Sequence, residues 1–165
     1  MPRRRQEIGL TPEEQQQFIE RGRTLYVATN GADGFPHMVA MWYVPISGLI
    51  HFTTFARSQK VLNLRRDPNI TVMLESGIAY NQLKGLVIKG HGEVVEEIAL
   101  TTRVLTLAGI RYSDSRTGAV VPLSPADPLP PPNPVVEGTA RKRVTVRIRP
   151  VNIYSWDHAK LGGRY

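Results

Sequence analysis
The chain has no cysteine among its 165 residues. That removes disulfides, thiolate nucleophiles and sulfur-ligated metals, and it suits a reducing cytoplasm. No apolar run approaches the roughly 18 residues of a membrane-spanning helix. The basic start MPRRRQEIG leads into no apolar stretch of the kind a secretory signal carries. A cytoplasmic protein without a membrane segment is therefore expected. His37, His51, His91 and His158 show no metal-ligand spacing, so no metal site is expected. GxGxxG, GxxxxGK and GxSxG are all missing, as is a Ser/His/Asp arrangement. Hydrolytic chemistry thus has no support, and any catalysis is expected to rest on a bound cofactor. Acidic residues are scarce: 14 Asp and Glu stand against 21 Lys and Arg, a net charge of +7 that draws anionic partners.

What is present reads as one domain over residues 10–165, preceded by a flexible basic arm at 1–9. Thr11-Pro12-Glu13-Glu14 predicts a helix start with a capping box, and Gly22 its stop. A strand at 25–29, the turn pairs Asn30-Gly31 and Asp33-Gly34, and a returning strand at 36–44 predict a hairpin. A turn at 45–48 leads to a strand at 49–54, a short helix at 58–66 closed by Asp67-Pro68, and a strand at 70–75. A long strand at 85–97 carries Gly90 and Gly92, which suggest a bulge or tight corner. Residues 98–112 predict a helix with Leu100, Val104, Leu107 and Ile110 on its apolar stripe. Residues 113–140 read as a loop-like insertion, because seven of the 13 prolines crowd into 122–134. Two strands, 143–149 and 151–156, follow. Six or seven strands joined by hairpin turns, with peripheral helices and no βαβ rhythm, predict a mainly β fold: an antiparallel barrel.

Chemistry gathers in two places. Thr53, Thr54, Arg57, Ser58 and Lys60 lie where a strand meets a helix N-terminus. Backbone N–H groups and the helix dipole favour an anion there, and the cations reinforce them, so the cluster reads as a phosphate cradle. The competing reading is a surface helix capped by Ser58, with solvated cations. Trp156, Asp157, His158, Lys160 and Arg164 form the second cluster, a flat wall with donors beside it. His37, Trp42 and Tyr43 share a predicted strand and either carry a planar ring or fill the core. The Arg3–Arg5 run and the Arg143, Arg147 and Arg149 face suit nucleic acid in charge, but no helix-turn-helix or RNP-like pattern accompanies them, and nucleic-acid binding is not expected.

The order of TPEEQQQFIE, LYVAT, NGADGFP, PHMVAMWYV, LIHFTT and ARSQKVLNLRRDPNITVML resembles the pyridoxamine-5′-phosphate-oxidase-like split β-barrel family of flavoproteins. The tail YSWDHAKLGGRY looks like the branch that uses the 8-hydroxy-5-deazaflavin coenzyme F420 rather than FMN. The resemblance implies a homodimer with a cofactor groove at the subunit interface. It implies that Thr53, Thr54, Arg57, Ser58 and Lys60 hold the cofactor phosphate and that Val39, Ala40 and Met41 run along the ring system. Trp156 and Gln82 or Asn81 would come from the second subunit. The family's Arg-x-His after the tryptophan is not reproduced, since Asp157-His158 follows directly. The implied activity is an F420-dependent oxidoreductase moving a hydride between reduced deazaflavin and an electron-poor small molecule, with His158 as a candidate proton donor. Lys84 and the Arg-rich strand are candidates for the coenzyme's acidic tail. An FMN-dependent enzyme and a non-catalytic cofactor or haem carrier are the other readings.

Overall fold
A computed structural model describes residues 7–124, 130, 131 and 133–162. The basic run at 3–5, Arg164 and part of the proline-rich stretch lie outside these residues. The chain order is α1 (Pro12–Arg21), β1 (Leu25–Asn30), β2 (Pro36–Met41), β3 (Val44–Ile46), β4 (Leu49–Phe55), α2 (Gln59–Arg66), β5 (Asn69–Ser76), β6 (Lys84–Val95), α3 (Ile98–Arg111), α4 (Pro134–Ala140) and β7 (Arg143–Asp157). Short 3-10 turns occupy Tyr80–Gln82 and His158–Leu161.

The predicted cap of α1 is present in full. Glu14 N donates to Thr11 Oγ1 and Thr11 N to the Glu14 carboxylate. All seven strands form one sheet, ordered β2-β1-β5-β6-β7-β4-β3, with antiparallel pairing throughout. The two outermost strands, β2 and β3, are consecutive in the chain and joined only by Trp42-Tyr43. A sheet whose opposite edges are two residues apart has to curl on itself, and the right-handed twist of its strands supplies the curl. Inside the curl, Leu25, Val27, Ile50, Phe52, Val72, Leu86, Val146 and Ile148 are almost wholly buried.

Five sequence expectations need correction. The strand expected at 36–44 breaks at Trp42-Tyr43, because Tyr43 turns inward to full burial and Trp42 stacks on Tyr112 at 4.3 Å between ring centroids. Tyr43 is thereby committed to the core, while Trp42 rests one face on Tyr112 and stays 54% exposed. The turn expected at 45–48 is only Ser47-Gly48, both at positive φ (50° and 77°), the geometry of a two-residue hairpin. The strands expected at 143–149 and 151–156 are one strand, β7, and the ladder with β6 absorbs Pro150 by a register shift at Lys89/Gly90. The insertion at 113–140 contains a helix, α4: Asn133 accepts from Val136 N, and Pro134 occupies the first helical position, where its missing N–H costs nothing. The most buried residues of α3 also differ from the expected apolar stripe. They are Thr101, Thr102, Val104 and Arg111, and Thr101 bonds Thr145 of β7.

Candidate functional site: an unpaired cation cluster at the start of helix α2
Helix α2 packs between β1 and β6. Its inward side carries Val61, Asn63 and Leu64, which are buried. Val61 and Leu64 supply the apolar contact. Asn63 Nδ2 donates to Thr29 Oγ1 of β1 at 3.0 Å and satisfies the buried hydroxyl. This packing fixes the first turn of α2 against the end of β4.

Ser58 holds the N-cap position yet makes no side-chain cap bond. Its Oγ faces Thr54 Oγ1 at 3.1 Å instead. The first N–H groups of a helix have no intrahelical partner, so the dipole end of α2 stays without a side-chain cap. Lys60 is buried, only 8% exposed, with Nζ donating to Thr54 Oγ1 at 3.0 Å. No carboxylate lies within ion-pair reach of it among the described residues. Burial, and then the nearby Arg143, hold the Lys60 ammonium below the usual lysine range. The expected alternative, solvated cations on a capped surface helix, does not describe Lys60 or Ser58.

The structure adds Arg143, which the sequence pattern had placed on the Arg-rich face. The β4–β7 register sets Arg143 opposite Phe55. Its guanidinium lies over the Phe55 ring at 4.3 Å, and its buried Nε has no partner among the described residues. Arg147 and Arg149 differ, because both reach Glu93, at 3.3 and 2.8 Å. Lys84 likewise pairs with Asp157 at 3.3 Å. Of the cations expected to meet an acidic tail, Lys84, Arg147 and Arg149 are therefore paired, while Arg143 lies near Lys60 with no carboxylate partner among the described residues.

Of the predicted cradle, Thr54, Ser58 and Lys60 come together. Arg57 is exposed in the turn before α2. Thr53 lies on the opposite face of β4, directly across from Thr145, as the alternation of a strand requires. On the edge strand β2, Val39 and Met41 pack against the core while Ala40 is exposed.

Within the described residues, the tail cluster from Trp156 to Lys160 is folded onto the rest of the chain. Asp157 N donates to Ile8 O, and Leu10 N to Ser155 Oγ. Lys160 bonds the Glu14 carboxylate at 2.6 Å and Gly9 O at 2.8 Å, so it ties the tail to α1. Trp156 lies across Gly85, where any Cβ would collide with the indole. His158 Nδ1 approaches Tyr80 O at 2.9 Å, its ring tilted against that of Tyr80. Gln82 ends the neighbouring 3-10 turn and is exposed, as is Asn81. Trp156 is thirteen residues from Arg143 on one strand, about 40 Å at strand rise. One chain does not bring the two clusters together.

A curled antiparallel sheet, with a short helix packed on β1 and β6 whose uncapped start meets a buried lysine, defines a split β-barrel. The chain belongs to the pyridoxamine 5′-phosphate oxidase family, whose pattern it matches over residues 11–157. Among solved structures, the conserved hypothetical protein Rv2991 from Mycobacterium tuberculosis is 40% identical, with a TM-score of 0.80 over 96% of this chain and 92% of that one. An F420 reductase shares the fold at 22% identity, with a TM-score of 0.60 over 87% of this chain and 98% of that one. So does HutZ, the haem storage protein of Vibrio cholerae, at 16% identity and a TM-score of 0.63 over 88% and 94%. No curated protein matches the sequence.

Proposed function
We propose that this chain is an F420-dependent reductase acting on an electron-poor small molecule, and that the corner at Thr54, Ser58, Lys60 and Arg143 takes the coenzyme's phosphodiester. The carrying observation is Lys60. A buried ammonium without a counter-charge is costly, and an anion delivered by a ligand offsets that cost. The uncapped dipole of α2 and the unpartnered Arg143 Nε offer further donors to the same anion. Arg57, exposed beside them, is placed to reach a second phosphate oxygen, while the role proposed for Thr53 narrows to its backbone. When bound, the reduced deazaflavin supplies a hydride equivalent. The chain's own part is to bind, orient and shield, with Val39, Ala40 and Met41 along the edge of β2 as the proposed rest for the ring system.

The separation of the two clusters along β7 supports a homodimer in which a second copy brings Trp156, Gln82 and His158 to the cradle. Val151 and Tyr154, on the same half of β7, are 69% and 48% exposed, as an unpaired interface surface would be. The +7 charge favours a coenzyme with an acidic tail over FMN. A cytoplasmic location, expected from the absence of cysteine, fits this reading. The test is a paired titration of cofactor-stripped protein with the deazaflavin and with FMN, followed by fluorescence. Micromolar binding of the deazaflavin alone is expected. Preference for FMN transfers the same cradle to a flavin enzyme; where neither binds, a haem titration follows, and haem binding there makes the chain a carrier.

A further inference from the structure
On the other side of α2, a cleft of about 530 Å³ opens between the helix and the β1–β2 turn. Its lining is unlike the cradle. No lysine or arginine takes part, and Asp33 is its one acidic residue. Three polar side chains converge there from three elements. His37, on β2, sits directly opposite Thr29 in the β1–β2 register, and its buried Nδ1 has no partner among the described residues. Gln59, in the first turn of α2, donates Nε2 to Asn63 Oδ1 at 2.9 Å, and Asn63 passes the chain on to Thr29. That orients the Gln59 amide and leaves its carbonyl oxygen as an open acceptor. Asp33 Oδ1 accepts from Phe35 N at 3.1 Å, which leaves the second carboxylate oxygen open. The Phe35 ring, 74% exposed, stands at the rim.

The walls are fixed before any ligand arrives. Gly31 N donates to Phe35 O at 3.0 Å across the turn, and a Cβ on Gly31 would collide with that same oxygen. At the other end of α2, Asn30 Nδ2 bonds the Asp67 carboxylate at 2.7 Å, and Arg66 bonds Asn30 O. The hairpin and the helix are therefore clamped together along the cleft.

We propose that this cleft is a second binding site, for a planar ligand that presents N–H donors along one edge: an amidine, a primary amide or an amino-substituted nitrogen heterocycle. Gln59 Oε1 and the open oxygen of Asp33 accept from the donor edge, the His37 ring lines the site with its Nδ1 turned into the protein, and Phe35 covers one face of the plane. Anionic ligands are disfavoured here by Asp33, as they are favoured at Lys60. The two sides of α2 thus select opposite chemistries. The site stands whether or not the cradle takes a coenzyme phosphate.

The test uses the full chain with isotope-labelled side chains and three probes of one shape, benzamidine, benzamide and benzoate, followed by NMR. Benzamidine is expected to shift the His37 ring and the Gln59 and Asn63 side-chain amides with a Kd of about 1 mM or tighter. Benzamide shifts the same groups more weakly. Benzoate leaves them unmoved. Asp33→Asn, which keeps the oxygen that caps Phe35 N, should weaken benzamidine about two- to fivefold while benzamide changes little. Gln59→Leu should weaken both. An equal response of His37 and Gln59 to benzoate, or no response there to any probe while the variants keep the native spectrum, overturns the proposal.

Discussion

Lys60 shows how far a single residue can be read before its surroundings are known. Its place in Arg57-Ser58-Gln59-Lys60 marks it as a cation near a helix start. Its burial, its bond to Thr54 and its lack of a carboxylate come from packing that no local pattern displays. Arg143 was out of reach for the same reason: it meets the Lys60 corner only through the register of β7 on β4, two strands far apart in the chain. Replacing Lys60 with Met keeps most of the buried stem and removes the charge. Affinity for inorganic phosphate, and for the deazaflavin if it binds, should fall by about 10- to 100-fold, the equivalent of one charge-assisted hydrogen bond of about 1.5–3 kcal/mol. Isothermal titration of both proteins checks this, and thermal unfolding should show the Met variant no less stable, because a buried charge has been removed. Arg111 is the contrasting case. It is fully buried, stacked 4.9 Å from the Tyr43 ring, and donates to Gly22 O at 2.7 Å. Together with Tyr43 it gathers the last carbonyls of α1, so its charge answers a helix dipole and serves the fold rather than a ligand.

Elements whose cause lies within a few residues were the legible ones. α1 announces itself through Thr11, Pro12 and Glu14. The Gly90 irregularity was visible as a glycine pair inside a strand. α4 was hidden because proline density obscured the Asn133-Pro134 start that the helix uses. The break at Trp42-Tyr43 was hidden because a run of strand-forming residues continues through it, and only the stack on Tyr112 and the burial of Tyr43 turn the chain. Gly90 offers a test at this scale. A Cβ there would collide with Arg149 O, a backbone atom held by the β6–β7 ladder. Gly90→Ala should cost about 1–3 kcal/mol in denaturant unfolding, whereas Gly109→Ala, with open space around the new methyl in the last turn of α3, should be neutral or stabilising by up to about 1 kcal/mol.

For the molecule as a whole, the response to pH is set by one buried imidazole and a few surface carboxylates in separate windows. His51 is 3% exposed, with Nδ1 on Leu49 O at 3.0 Å and Nε2 receiving Arg147 Nε at 3.2 Å. Burial lowers its pKa below 6.5; the hydrogen bond to the Leu49 carbonyl opposes this in part, the Arg147 and Arg103 charges lower it further, and Glu93 opposes most weakly. The unfolded chain therefore takes up this proton at a higher pH than the folded one. Stability is complete above about pH 6.5 and falls as acid drives the histidine through its lowered folded value. Glu14, Asp67 and Asp114 are lowered mainly by hydrogen bonds from Lys160, Asn30 and Thr117 respectively, so their contributions are lost only at more acid pH, below their ordinary values of 4.5, 3.8 and 3.8. Urea midpoints measured between pH 7.5 and 5 should decline in the native chain and decline less in His51→Gln.

The closing of the curled sheet has a consequence for how the chain is made. β4 and β6 find their shared neighbour only in β7, and the contact of His51 with Arg147 spans 96 positions. On the ribosome, at roughly 5–20 residues per second, β4 emerges several seconds before the strand that completes it. During that interval two long strand edges, with Phe52 and Ile50 beside one of them, are open to the wrong neighbour. The nascent protein is thus most exposed to aggregation late in synthesis, and the proline-rich stretch just upstream of β7 lengthens that vulnerable pause.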